Sequence, residues 1–187
     1  SENVTNSFSV VTQGTVEVEL TEDVTLPGKE KDNVTEMPNI PLESCKKYIK
    51  TPIIKLGDKS EPAFIYLKLE ISGMTKQDFL NVIQETDYFS MTNNGWTFLG
   101  ALPQNDGNAT EIYYYHPNLQ NPGAVVEGPY KSGFTMKNFE IIEDQLDALK
   151  NMTMTYTAIA IAPENEKEIA DGPVVAWDNR NPDLNIG

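Results

Sequence analysis

Alternation of apolar and polar residues near the N-terminus constrains this chain more than any other feature of its sequence. In the first run, Val4, Phe8 and Val10 share one face of a strand with a single polar member, Asn6, while serine and threonine occupy the other face. A second run, residues 16–20, alternates valine and leucine with glutamate. A period of two is the pattern of a half-buried β-strand. We therefore predict that the chain begins with two strands.

The N-terminal run has two interpretations. In the first, residues 1–11 form a donor strand that completes a sheet in a neighbouring copy and has no partner edge in its own subunit. In the second, they form the first strand of their own domain, which the alternation alone favours. A chain end frays unless a sheet receives it, so both interpretations explain an apolar strand face at the terminus. Gly14 lies between the two runs, where a change of backbone direction costs little.

The charge balance excludes two classes of partner. The 187 residues carry 28 acidic and 14 basic side chains, for a formal net charge of −14. Such a charge repels phosphate groups and anionic lipids, so we expect neither nucleic acid nor a membrane surface as a partner. The length fits one domain, or at most two small ones, with a core of its own.

Cysteine usage and the first residue indicate where the protein works. The single cysteine, Cys45, excludes an internal disulfide and a cysteine-based metal site. The sequence begins with serine and contains no long apolar segment, so we expect no membrane span. This is typical of a mature secreted protein whose signal peptide has been removed. We expect an extracellular or cell-surface location.

Short strand patterns separated by turn signals recur along the chain. Residues 21–42 lack apolar periodicity and predict a long surface loop, whereas residues 74–85, capped by Thr75, predict a helix. Asn94-Gly95 predicts a hairpin turn. A short helical piece is predicted over residues 143–149, and a polar, turn-like end is predicted after Trp177. The pattern predicts an all-β, jelly-roll-like sandwich with one or two short helices. The predicted strands are residues 48–56, 63–71, 96–99, 110–115, 134–142 and 152–162.

Enzyme motifs are weak in this sequence. His116 is the only histidine, whereas a zinc hydrolase usually needs two or three histidines plus a carboxylate. Residues 44–47 match Ser-x-x-Lys without the companion motifs of that enzyme class, and no Gly-x-Ser-x-Gly elbow is present. The acidic and amide residues 178–183 lack calcium-loop spacing, so we predict a solvated tail there. We predict no catalytic residue, no metal and no cofactor.

One alternative function concerns aromatic residues. Trp96 and the three tyrosines at 113–115 are candidates for a carbohydrate-binding platform on a secreted sandwich. Aromatic residues that alternate in a strand are more often half core and half surface. Both interpretations remain open from the sequence.

Eight stretches, in order along the chain, form a recognisable series of motifs. They are an acidic residue followed by Thr5-Asn6-Ser7-Phe8, the strand at 16–20, the segment 52–71, Gly95-Trp96, the tyrosines at 113–115, Pro122-Gly123, the strand at 152–162 and Ala176-Trp177. This series, which spans most of the chain, resembles the TasA, camelysin and CalY group of secreted Gram-positive biofilm-matrix proteins.

The resemblance implies a jelly-roll sandwich whose subunits polymerise head to tail into extracellular fibres, with other matrix components as further partners. In such fibres the N-terminal strand of one subunit fills a groove in the next. The resemblance thus divides the chain into a donor strand and hinge, residues 1–14, and a sandwich, residues 15–187. It assigns the donor face to Val4, Asn6, Phe8 and Val10, and the hinge to Thr12, Gln13 and Gly14. Some members are labelled metallopeptidases, a role that the single histidine argues against.

Overall fold

The computed structural model describes residues 2–5, 18–26, 28–34, 36–40, 46–73, 75, 77–78, 92–103, 110–129, 134–135 and 153–181. Within these residues the chain forms strands β1 to β12 and helices α1 and α2. The strands are β1 (Glu2–Thr5), β2 (Val18–Thr25), β3 (Asp32–Val34), β4 (Glu36–Ile40), β5 (Lys47–Leu56), β6 (Phe64–Ser72), β7 (Thr92–Asn93), β8 (Trp96–Pro103), β9 (Thr110–Tyr115), β10 (Val125–Glu127), β11 (Phe134–Thr135) and β12 (Thr153–Ile161). The helices are α1 (Glu166–Asp171) and α2 (Pro173–Arg180).

The strands form two sheets that pack face to face, so the predicted all-β sandwich with short helices is confirmed. The first sheet has the order β4-β1-β12-β6-β9-β8-β7. The second has the order β10-β5-β2-β3, and β11 also pairs with β5. Among the described pairs, β1 with β12 is parallel and the others are antiparallel.

The core lies between the sheets and is built from the inward face of each long strand. In β12, buried and half-buried residues alternate, as the period of two predicts. Strand β6 is buried on both faces over its first half, because α2 covers its outer side. The largest fully buried side chains are Trp96, Tyr66, Tyr114, Tyr156, Leu20, Ile54, Leu56 and Ile65.

The prediction of a surface loop over residues 21–42 is wrong, since β2 runs on to Thr25 and β3 and β4 follow. The inward residues of β2 are Val18, Leu20, Glu22 and Val24, all buried. Glu22 breaks the apolar alternation at its third position, which made the strand look like a polar segment. A charged residue on an inward face therefore concealed a regular strand.

Local signals explain the turns and helix starts. In the predicted hairpin turn between β7 and β8, Asn94 and Gly95 have φ of +49° and +81°, the left-handed geometry that favours this dipeptide. The predicted cap at Thr75 is confirmed, because its Oγ1 accepts a hydrogen bond from the Asp78 amide at 3.1 Å. Gln77 and Asp78 are helical. The predicted helix positions 79–85 and 143–149 lie outside the described residues.

The chain is helical from Pro173 to Arg180, so the prediction of a turn-like end after Trp177 is wrong for residues 178–180, while residues 182–187 lie outside the described residues. Asn165 caps α1 by accepting a hydrogen bond from the Glu168 amide at 2.9 Å. Gly172, with φ of +95°, separates the two helices, and Pro173 begins α2, where its missing N–H costs nothing. No helix among the described ranges has the length and apolar character needed to cross a membrane.

Candidate functional site

The N-terminal strand lies inside the first sheet, between two strands of its own chain. It pairs in parallel with β12, placing Asn3 opposite Thr153, Val4 opposite Met154 and Thr5 opposite Thr155. On its other side it pairs with β4 in antiparallel fashion, with an irregular register between Glu2 and Val4. We treat this edge of β12, with β1 and β4 beside it, as the candidate functional site.

This placement corrects one expectation of the donor-strand interpretation, which gave the strand no partner edge in its own subunit. Glu2–Thr5 has such an edge, because the side of β12 that faces away from β6 presents backbone N–H and C=O groups that a strand must satisfy. Exchange of the same strand into a neighbouring copy stays a prediction. The donor-face residues Asn6, Phe8 and Val10 and the hinge residues Thr12, Gln13 and Gly14 lie outside the described residues.

The inward face of β12 tapers along the site. Its buried residues run from Met154 and Tyr156 to Ala158 and Ala160. All four belong to the core between the sheets. Small residues at two successive inward positions suit large side chains at the facing positions of an adjacent strand. The site therefore has a bulky end and a small-residue end.

The two C-terminal helices cover the outer face of the first sheet through Trp177. This indole is 3% exposed and packs on the rings of Tyr66 and Tyr113, at centroid separations of 4.9 Å and 5.4 Å. The Tyr66 hydroxyl donates a hydrogen bond to the Pro173 carbonyl, which fixes the start of α2 on the sheet. Burial raises the pKa values of both tyrosines, so their hydroxyls stay protonated.

A buried ion pair links α1 to α2. The Arg180 guanidinium donates two hydrogen bonds to the Glu168 carboxylate, at 2.6 Å and 3.0 Å. Asn179 donates a third at 2.9 Å, and the Glu164 amide a fourth at 3.2 Å. These donors, led by Arg180, lower the pKa of Glu168 to about 2. The prediction of a solvated tail from residue 178 is therefore wrong for Arg180, whose side chain is largely buried against Glu168, whereas Asp178 and Asn179 are exposed.

The four side chains of the predicted aromatic platform are buried or half-buried, so they do not form a platform; a secreted binding module that uses the sandwich loops stays a prediction. Trp96 and Tyr114 are fully buried in the core between the sheets. Tyr113 lies beneath Trp177, and Tyr115 is half-buried at its side. These rings stabilise the sandwich from both sides of β9 and offer no stacking surface to a sugar.

His116 directly follows the end of β9, where its ring contacts are structural. Its Nδ1 accepts a hydrogen bond from the Asn118 amide at 3.3 Å, and its ring packs edge-on against Trp96. Burial lowers the pKa of His116, so the ring is neutral at pH 7. Across the described ranges, no group of three or more His, Cys, Asp or Glu residues could hold a metal ion.

Comparisons with protein-family models, curated proteins and solved structures find no match for this chain. The features that bear on function are therefore the sandwich and the edge of β12 where β1 pairs.

Proposed function

We propose that this protein is the structural subunit of an extracellular fibre. In the fibre, the N-terminal strand of each subunit leaves its own β12 and pairs with β12 of the next subunit. One observation carries the proposal: β1 lies between two strands of the first sheet, in parallel pairing with β12 and in antiparallel pairing with β4. Exchange of one such element between identical copies is a low-cost route to assembly.

In the fibre, we expect the parallel ladder to continue past the described pairs in the same register. Phe8 would then pair with Ala158 and Val10 with Ala160. Large donor residues would thus meet the two small residues of β12. The complementarity of large and small side chains at consecutive inward positions is what a specific strand site requires.

The position of the predicted hinge supports exchange. Val18, the first residue of β2, pairs with Leu56, the last residue of β5. Residues 57–63 connect Leu56 to Phe64, the first residue of β6. Phe64 pairs with Ile161, the last residue of β12. β2 therefore begins at the end of the sandwich where β12 finishes. A strand parallel to β12 must reverse at this end to enter β2, and the hinge residues 12–14 lie in the connection. Straightening the hinge would project the strand beyond the subunit toward a neighbour.

The strand contact is strong wherever it forms. A ten-residue strand would form about eight ladder hydrogen bonds, each stabilising by a net ~0.5–1.5 kcal/mol. Burial of Val4, Phe8 and Val10 would contribute roughly 1.5–3 kcal/mol for each side chain. Because exchange replaces contacts within a subunit by the same contacts between subunits, the fibre is favoured only at protein concentrations high enough to offset the association cost. Because donor and acceptor surfaces differ, the contact propagates as an open filament.

A pair of adjacent substitutions tests the proposal. Phe8→Asp places a charge on the donor face and should abolish fibres seen by electron microscopy, because a carboxylate would enter an apolar groove. Ser9→Asp places the same charge on the opposite face of the strand and should leave the fibre yield close to that of the unmodified protein. Equal yields from the two variants, or no fibres from the unmodified protein under any salt condition, would refute the proposed function.

A further inference from the structure

β1 occupies a slot between β12 and β4, and the outer wall of this slot, β4, continues directly from a strand of the other sheet. β3 ends at Val34 in the second sheet and β4 begins at Glu36 in the first, so a single residue carries the chain from one sheet to the other. The start of β4 is therefore tied to the second sheet. It stays at this side of the sandwich whether or not β1 is present.

The direction of β4 suits it to pair with β12. β1 is parallel to β12, and β4 is antiparallel to β1. β4 is therefore antiparallel to β12, two strand places away. If β1 leaves, the backbone N–H and C=O groups of β12 and β4 that had paired with it face each other across the slot. An antiparallel ladder between the two strands satisfies both edges without any reversal of the chain.

An irregularity in β4 shows that this strand is suited to a sheet edge. Between the described pairs of β1 and β4, the single residue Asn3 faces two residues, Pro38 and Asn39, which is a β-bulge. Proline has no backbone N–H for a ladder, so within sheets it occurs on edge strands and at bulges. β4 is the last of the described strands on this side of the first sheet, and it would still be the last if it moved inward to β12.

We infer that β4 is a gate: when β1 leaves its own subunit, β4 moves inward by one strand spacing, about 4.8 Å, and pairs with β12. The closed gate covers an edge on which any exposed strand could otherwise add, and the incoming strand of a second copy must displace it. This inference rests on the proposed function, since it describes the acceptor between the departure of one strand and the arrival of the next. Opening of the gate is then a step of fibre growth.

A pair of introduced cysteines distinguishes the two positions of β4. Glu36 and Thr155 both pair with Thr5, from opposite sides of β1. With β1 between them, their Cα atoms are two strand spacings apart, roughly 9.5 Å, which is too far for a disulfide. With the gate closed they face each other at about 5 Å, which a disulfide can bridge. The test protein is the full chain with Cys45→Ser, Glu36→Cys and Thr155→Cys.

Val4→Pro empties the slot in the full chain, because β1 is paired on both sides there and proline removes a ladder hydrogen bond. We expect oxidation to crosslink the cysteine pair at least about tenfold faster with Val4→Pro than with Val4 retained. Thr155→Cys with Glu111→Cys is the matched control, since these residues lie on either side of Glu70 in β6, which stays in place. The control should form no disulfide in either chain. Near-ultraviolet circular dichroism of the buried Trp96 checks that the sandwich is folded.

The chain that retains Val4 decides the question if Val4→Pro does not fold. Prolonged oxidation should trap the cysteine pair when β1 opens, and the trapped protein should exchange the backbone amides of Glu2–Thr5 as fast as a free strand. Equal crosslinking with and without Val4→Pro, no crosslinking in either chain, or trapped protein in which Glu2–Thr5 stays protected would overturn the gate. If the unmodified protein forms no fibres, the proposed function fails, and the crosslink still decides whether β4 closes onto β12.

Discussion

Both ends of the chain attach beside β12, and they attach by different chemistry. The C-terminal helices follow β12 directly and hold to the first sheet through a buried tryptophan and a four-donor carboxylate. The N-terminal strand attaches through a backbone ladder whose described part spans Glu2–Thr5. The helices are held by specific contacts of several side chains, whereas a backbone ladder needs only an equivalent strand edge. The fibre proposal therefore treats the C-terminal attachment as permanent and the N-terminal one as exchangeable.

The largest expected effect comes from breaking the permanent attachment. Trp177→Ala removes the ring that packs on Tyr66 and Tyr113, and we expect the free energy of unfolding to fall by about 3–5 kcal/mol. Val174→Ala, in the same helix but exposed, is the matched control and should change it by less than about 1 kcal/mol. Urea unfolding monitored by circular dichroism measures both. Equal stability of the two variants would show that the helices do not lock onto the sheet.

An intermediate effect concerns acid. The pKa of Glu168 is lowered to about 2 from its ordinary 4.5, chiefly by Arg180. The unfolded chain therefore binds this proton more readily, so the stabilisation is fully present above pH 4.5 and is lost as the pH falls toward 2. We expect Tm to fall over this range, and to fall less steeply in Glu168→Gln, whose side chain does not titrate. Parallel Tm profiles for the two proteins would contradict the ion-pair account.

The smallest effect is local and concerns opening without unfolding. Backbone amides of Glu2–Thr5 should exchange with solvent hydrogen faster than those in the centre of β12, because a terminal strand opens at a lower free energy than a central one. Amides of α2 in the same experiment serve as the reference for the permanent attachment. Equal protection of the amides in β1 and in the centre of β12 would contradict the expectation that β1 opens more readily than the rest of the sheet.

The sequence predicts the regular strands well and the polar interruptions poorly. β6, β9 and β12 are foreseeable because their inward residues are apolar at every second position over a long run. The extension of β2 is not, since Glu22 replaces an apolar residue in the alternation. β4 is also not foreseeable, because Pro38 and Asn39 interrupt the apolar alternation of this short strand.

The C-terminal helices and the pairing of β1 with β12 could not be predicted from the sequence, for a different reason. α1 has six residues, three of them charged on a single turn, and its stability depends on contacts distant in sequence: Trp177 with two tyrosines, and Glu168 with Arg180. The strand at Glu2–Thr5 is foreseeable from alternation near the N-terminus. Its parallel pairing with β12 is not, because a register between segments so distant in sequence depends on the assembled sandwich.

The central claim is that β1 pairs with β12 of another copy in the fibre, and one crosslinking measurement tests it directly. Asn3 and Thr153 are opposite each other in the register, which suits a disulfide between introduced cysteines. With Cys45→Ser in both, one protein would carry Asn3→Cys and the other Thr153→Cys, so that only a bond between subunits can form. The account predicts covalent dimers when the two are co-assembled into fibres and oxidised, and none from the unassembled mixture. Fibres that yield no such dimers would contradict the claim.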